Sequence, residues 1–477
     1  MSRTIVQQLA EHALAIRFEQ LPPEVVQECK RILLDSVGCA LAGIDFQKGR
    51  AGRDFAKVMG GGVDAASIMG EPVRVSIPAA AFANAELINT LDMDVVTVPG
   101  HVAPAVLSSV MAVAEVLGAS GHAVIEAVAL GHDIGNRFGR ATDNLRDTKD
   151  GKPNTPSVFG YTSPIFGATA AIARLKGYPV EMVANAIGIA GCISPVNSMM
   201  SWIEHAPATT IKYTLKGALA VQAVTAAYMA EFGHRGDIQV LDDREYGYPR
   251  FIGTTKWEPQ HIVHKLGSEW RFPAETSYKP YPHCRVPHGL IDCLLKILDE
   301  HDIKPDEIDG IKIFVEGIAA ERAVWLNATI EDVHDAQFSL HHGIAVAAHR
   351  VPPGKAWLDS SLIHGRSVMD LMKKVQSDRH PDFVKLLNQQ GSSRPARIEV
   401  TARGNTYVEE KRFPKGSPSP DADTYMTDEE LTAKFRNNAD GVLSRSSIDR
   451  IADLVLSLED VTDFGMVMRL ASRKCED

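Results

Sequence analysis

The sequence has no C-x-x-C pair, and its six cysteines (Cys29, Cys39, Cys192, Cys284, Cys293, Cys475) are scattered along the chain. A disulfide framework and a zinc or iron–sulfur centre built on cysteine are therefore not expected, and reduced thiols in a cytoplasmic protein are the simplest reading. No apolar run continues for the roughly 18 residues a membrane span needs, so none is predicted. The N-terminal MSRTIVQQLAEHALAIRF places Glu11 and His12 inside its apolar pattern, which reads as an amphipathic helix rather than a secretion signal. An excess of cations is missing too. A formal charge of −10 argues against sequence-independent nucleic-acid binding while leaving room for a local basic site that takes a small anion. Gly60-Gly61-Gly62 follows a helical pattern rather than a strand and does not match a phosphate loop. The pairs His261/His264 and His341/His342 lack carboxylate or cysteine neighbours at ligand spacing and read as structural or surface histidines.

What is present is an ordinary globular composition, 45% hydrophobic and 23% charged, over 477 residues. That length exceeds what one core usually organises, so two domains or a domain with a lobe are expected. Up to about Trp270 the periodicity is helical. Pro22-Pro23 opens a segment whose apolar residues recur at helical spacing until Gly43, and further helices are predicted over 79–91, 104–117, 123–138, 165–176, 180–190 and 209–232. Their many alanines and glycines, such as Gly167, Ala168, Ala170 and Ala171, predict closely packed helices rather than a sheet. After about Gly267 the pattern changes. Residues 308–317 alternate as a half-buried strand, 397–413 offer two strands across Gly404-Asn405, and helices are predicted over 335–349 and 366–376. Residues 414–423 form a connector, after which Thr427 and Glu430 make a capping box that restarts the helix. The expected architecture is mainly α: a multihelical domain (1–267 and 416–477) with a smaller α+β lid inserted at 268–415.

Three stretches carry candidate chemistry. SYKPYPHCRVPHGLIDC (277–293) places Lys279, Tyr281, His283, Cys284, Arg285 and His288 on a proline-stiffened loop ahead of a helix, an arrangement suited to binding an anion. NTLDMDVVTVPGHVAP (89–104) sets Asp92 and Asp94 at a helix end, with Thr97 and His101 following; an acid and an imidazole on one short connection are the parts of a proton-transfer pair. In EHAPATTIKYTLKG (204–217), Lys212 lies early in the predicted 209–232 helix, with Lys216 four residues further along the same face. Lysines so placed are snorkelling surface residues or, over a cavity, a carboxylate clamp, and the spacing does not choose. Tyr161-Thr162-Ser163 precedes a helix, and N-capping is the expected work of Thr162 or Ser163.

Taken together with LLDSVGCALAG (33–43), FGATAAIARLKG (166–177) and DAQFSLHHGIAVA (335–347), these stretches resemble the MmgE/PrpD family along nearly the whole chain. The resemblance implies a homodimer of helical domains with inserted lids, an active site in the cleft between domain and lid, no metal or organic cofactor, and a small anionic carboxylate as substrate. It implies a lyase, with dehydration of a polycarboxylate of the 2-methylcitrate or citrate type favoured. Decarboxylation or epimerisation of a related acid is the alternative, and a catalytically silent dimeric homologue is the alternative from another class. Carried over by position, Asp92, His101, Tyr161 and His288 are the expected catalytic groups, with Asp92 orienting the His101 imidazole. Lys212, Lys279, Arg285 and Cys284 are the expected substrate-binding groups. Val95, Leu215 and Tyr161 depart from the residues common in the family.

Overall fold

Proline at the first helical turn and small residues at helix crossings shape most of this chain. The computed structural model describes residues 3–60, 65–196 and 199–472, so Gly61, Gly62 and Cys475 lie outside the described residues. The helices ahead of the α+β lobe include α1 (Ile5–Ala15), α2 (Pro23–Ala42), α3 (Gln47–Gly60), α4 (Ile77–Ile88), α5 (Ala103–Leu117), α6 (Gly121–Ala141), α7 (Pro164–Leu175), α8 (Val180–Ile193), α9 (Met199–Glu204) and α10 (Lys216–Glu231). Prolines occupy the first turn of α2, α4, α5 and α7, where the missing N–H would have had no partner. The glycine-rich helices approach as closely as their composition predicts: a Cβ on Gly167 of α7 would run into the Gly131 carbonyl of α6. α4, α5, α7, α8 and α10 pack into one apolar core with α1, α2 and α6.

The lobe centres on a four-stranded sheet in the order 405–411, 396–402, 308–315, 375–379, its last pair parallel and the others antiparallel. Ile308, Ile311, Ile313 and Val315 alternate inward, and the helix His288–Glu300 packs on the sheet. A second apolar cluster forms around it, drawing in Leu91, Met93, Tyr161 and Tyr213 from the helical body. The fold class read from the sequence holds, mainly helical with a smaller α+β part. The chain then returns. Thr427 and Glu430 form the reciprocal capping box at the start of Asp428–Ala439, which packs along α2.

Several element boundaries differ from the sequence reading. Residues 209–215 are turn, not helix: Lys212 takes a left-handed φ of 58°, and α10 begins only at Lys216. Residues 366–376 divide into a helix, Arg366–Met372, and the parallel edge strand Val375–Arg379, because the exposed side of an edge strand carries no apolar alternation. Ser163 precedes α7 without a side-chain cap; its hydroxyl donates to the Gly160 carbonyl, and Thr162 bonds the Tyr248 hydroxyl instead.

Candidate active site

The site is built where the turn after α4 meets the proline loop. Val96–Thr97 pairs antiparallel with Thr276–Ser277, and the Thr97 and Thr276 hydroxyls bond at 2.9 Å. This short ladder lays residues 279–288 across residues 92–101. Asp92 sits in the turn with a φ of 53°, a left-handed geometry that costs a non-glycine residue about 1–2 kcal/mol. The carboxylate so displayed is fully buried and answered from several sides. Lys279 Nζ donates to the Asp92 backbone carbonyl and to Oδ2, each at 2.7 Å. The Tyr213 hydroxyl donates to Oδ1 at 2.9 Å, and Lys212 Nζ stands 3.7 Å from the same oxygen. Burial pushes the Asp92 carboxyl up, but the Lys279 and Lys212 charges together outweigh it and hold the group well below the carboxylate range.

His101 is held by the other aspartate. Its Nδ1 lies 2.7 Å from Asp94 Oδ2, while Nε2 is 3.8 Å from Asp92 Oδ1. Asp94, rather than Asp92, therefore orients the ring. Asn89 Nδ2 steadies Asp94 from the far side at 3.2 Å. Burial lowers the His101 pKa, an effect Asp94 only partly opposes. The ring is thus neutral at pH 7; with Nδ1–H donated to Asp94, Nε2 is its basic atom. The His101 and Tyr213 rings stack at 4.5 Å, and Tyr213 stacks in turn on Tyr161 at 5.5 Å.

The two lysines of the third stretch are both buried, neither one snorkelling. Lys212 Nζ donates to the Asn89 and Thr90 carbonyls at 2.8 and 3.0 Å, and burial brings its pKa down to about 7. Lys216 has 0% exposure, and its Nζ has no hydrogen-bond partner; it stands 5.5 Å from the Tyr161 ring centroid. Burial lowers its pKa to about 8. Gln337 Nε2 donates to the Thr90 carbonyl at 3.0 Å, while its Oε1 and Asn89 Oδ1 lack hydrogen-bond partners among the described residues.

The remaining residues of the proline loop bond mainly within the lobe. Arg285 donates to His288 Nδ1 at 2.9 Å, to the Lys415 carbonyl at 2.7 Å and to Ser417 Oγ at 2.8 Å. His288 Nε2 donates to the His283 carbonyl at 3.1 Å, so both of its ring nitrogens are engaged inside the protein. Burial, helped by the Arg285 charge, keeps His288 neutral. Cys284 Sγ accepts from Trp325 Nε1 at 3.4 Å. His283 bonds the Ser339 and Cys284 carbonyls and is fully built into the loop.

A cleft of about 780 Å³ opens between the helical body, at Pro99, Gly139 and Arg140, and the lobe, at Leu387, Asn388 and Arg394; Tyr161 forms part of its wall. Gly100 makes room for that ring, since a Cβ there would enter it. Tyr161 thus has the cleft on one side and Tyr213, with the Asp92 cluster, on the other. Asp92, Asp94 and His101 also offer three ligand atoms within 4.8 Å of one another. Lys279 and Lys212 already answer Asp92, so a divalent cation in that corner would stand beside two ammonium groups, and these residues do not fit a metal.

Sequence comparison identifies the family. The model for the MmgE/PrpD N-terminal domain matches residues 7–260, and the one for the MmgE/PrpD C-terminal domain matches residues 281–460. The chain belongs to the MmgE/PrpD family. Similar proteins with this membership include a cis-aconitate decarboxylase-like protein of Aspergillus oryzae, 26% identical, with 98% of this chain and 97% of that protein covered. The cis-aconitate decarboxylase of Homo sapiens is 24% identical, with 98% of this chain and 95% of that protein covered, and that of Aspergillus terreus is 23% identical over the same shares.

Sequence reasoning brought Asp92, His101, Lys212 and Lys279 to one place, left Lys216 between a surface and a clamp reading, and missed Tyr213 and Lys434. Tyr213 adjoins Lys212 in the left-handed turn that stands where 209–215 were read as helix. Lys434 leaves no local signal: from the returning helix it donates to Asp35 Oδ1 at 2.6 Å and to the Met93 carbonyl at 2.8 Å, fixing the backbone between the two aspartates.

Proposed function

We propose that the protein is a cofactor-independent lyase for a small polycarboxylate, with His101 Nε2 as the proton-transfer atom. The observation that carries this reading is the neutral, buried imidazole anchored through Nδ1 on Asp94, beside a cluster of lysines. A neutral base oriented in this way removes a proton from carbon adjacent to a carboxylate. Charge then builds on the carboxylate oxygens, where preorganised cations are the strongest available stabiliser. Lys212 and Lys279 supply those cations. Asp92 sets the position of both lysines, and Tyr161, on the cleft wall, is the second hydroxyl able to pass a proton. Arg285, Cys284 and His288 support the site by holding the proline loop.

Proton abstraction followed by loss of a β-hydroxyl as water is a dehydration, which makes a hydroxy-acid of the citrate or 2-methylcitrate type the first substrate class. Decarboxylation is the second reading, favoured by the names of the fungal and mammalian relatives. In that reaction the carbon–carbon bond to the departing carboxylate breaks and carbon dioxide leaves. The electron pair spreads into the adjacent unsaturated carboxylate, and a proton is delivered to carbon. The lyase reading carries with it the homodimer, the cytoplasmic location and the division into 1–267, 268–415 and 416–477. Incubation of the purified protein with citrate, 2-methylcitrate and cis-aconitate separates the reactions. A new conjugated double bond without gas marks dehydration, and carbon dioxide release marks decarboxylation. Turnover of such a substrate that survives His101→Gln unchanged would overturn the assignment of the base.

A further inference from the structure

Among the described residues, the Lys216 ammonium of the cluster has no hydrogen-bond partner. Lys279 meets Asp92, His101 meets Asp94, and Lys48 nearby is paired with Glu86. Lys212, although 3.7 Å from Asp92, at least donates to two carbonyls. Among the described residues, Lys216 Nζ is buried with no hydrogen-bond partner and faces the Tyr161 ring, and Asp94, Asp92 and Glu86 act on it only through longer-range charge. Buried polar atoms in folded proteins are nearly always paired, so a buried ammonium without an acceptor marks a place that an anionic ligand completes. The charged groups that act on Lys216 most are Asp94 and Asp92 from the α4 turn, Lys48 from α3 and Glu86 from α4. At a pKa of about 8 it remains an ammonium at neutral pH.

We infer that Lys216 binds a further carboxylate of the substrate, beyond those met by Lys212 and Lys279, and so selects a tricarboxylate over a dicarboxylate. This inference rests on the polycarboxylate reading of the same site. The ligand oxygens would accept from Nζ. The group is this chain's own specificity residue, placed by the late start of α10.

Calorimetric titration of the full chain with tricarballylate and with glutarate, which lacks the central carboxylate, tests it. The wild type should bind tricarballylate the more tightly. Lys216→Met should weaken tricarballylate roughly 10- to 100-fold, the value of a hydrogen bond to a charged group, and change glutarate less than about 2-fold. Lys216→Arg should keep most of the preference, which a purely structural contact with Tyr161 does not require. Thermal unfolding of each variant without ligand checks that the fold is retained, and Lys216→Gln serves if the methionine variant does not fold. An unchanged preference in the neutral variants, or an equal loss for both ligands, would overturn the inference while leaving the polycarboxylate reading in place. If the wild type binds neither acid, the functional reading falls, and this inference with it.

Discussion

The two halves of the buried cluster treat charge in opposite ways. Around Asp92 every charge has its partner at contact distance: Lys279 at 2.7 Å, the Tyr213 hydroxyl at 2.9 Å, and His101 on Asp94 at 2.7 Å. Around Lys216 the described residues supply an aromatic face and no hydrogen-bond acceptor for Nζ, the nearby carboxylates acting only through longer-range charge. Both halves are equally dry, so solvent does not account for the difference. The saturated half is preorganised, its geometry fixed by contacts within the protein; the unsaturated half buries a cation without an acceptor, an arrangement that costs stability. A buried ion pair and a buried lone ion also respond oppositely to deletion, and this allows the contrast to be tested.

The largest effect should come from breaking the saturated half. Lys279→Met leaves Asp92 buried with its main partner gone, at an expected cost of about 3–5 kcal/mol in a urea unfolding series. Combining it with Asp92→Asn should recover much of that loss, because no unpaired charge then remains at that contact. Additive losses in the double variant would show that the two side chains are not energetically one unit. His101→Gln should spare the fold and reduce turnover by about 10²–10⁴. Asp94→Asn should follow it in direction with a smaller loss, since it removes the orienting acceptor and leaves the base. If Asp92→Asn alone mimicked the His101 pH profile and Asp94→Asn did not, the assignment of the orienting carboxylate would be reversed.

The sequence revealed these halves unequally, and for physical reasons. The Thr427–Glu430 capping box and the 308–315 and 396–411 strands depend on local spacing and were legible from it. Asp92, His101, Lys212 and Lys279 came together through family motifs, because charged residues in an apolar setting leave a pattern. Which aspartate holds the imidazole depends on the left-handed turn at Asp92, and no spacing rule predicts that. For Lys216 the spacing did not choose between a surface and a clamp reading, since burial there depends on the rotation of a helix that starts seven residues later than predicted. Lys434 depends wholly on tertiary return, reaching Met93 from the far end of the chain.

Lys216→Met should act on stability in the opposite sense to Lys279→Met, through proton linkage. The unfolded lysine keeps its proton up to about 10.5, whereas the folded one, chiefly because of burial and despite Asp94, Asp92 and Glu86, releases it near 8. Between those values the unfolded chain binds more protons, so the contribution of this residue to stability rises with pH across that window. At 1.36 kcal/mol per pKa unit, the rise amounts to on the order of 1–3 kcal/mol. The methionine variant should therefore be the more stable protein at pH 7, and its advantage should shrink as pH climbs from about 8 towards 10. The difference between the two proteins isolates this group from tyrosines and from Lys212, which titrate in both. An advantage that stays constant with pH would mean that the folded Lys216 keeps its proton, and so has an acceptor after all.

The smallest effect should come from Tyr213→Phe. It removes one of several donors to Asp92 while leaving Lys279 and the ring stack on His101 in place. A hydrogen bond of this kind contributes about 1 kcal/mol net to stability. Its loss should raise the Asp92 carboxyl pKa slightly, still far below neutrality given the Lys279 and Lys212 charges. Unfolding should thus shift by about 1 kcal/mol, with a turnover loss well short of that for His101→Gln. A loss as large as that of His101→Gln, at unchanged stability, would instead mark the Tyr213 hydroxyl as a proton carrier, and the saturated half would then contain a reacting group beyond His101.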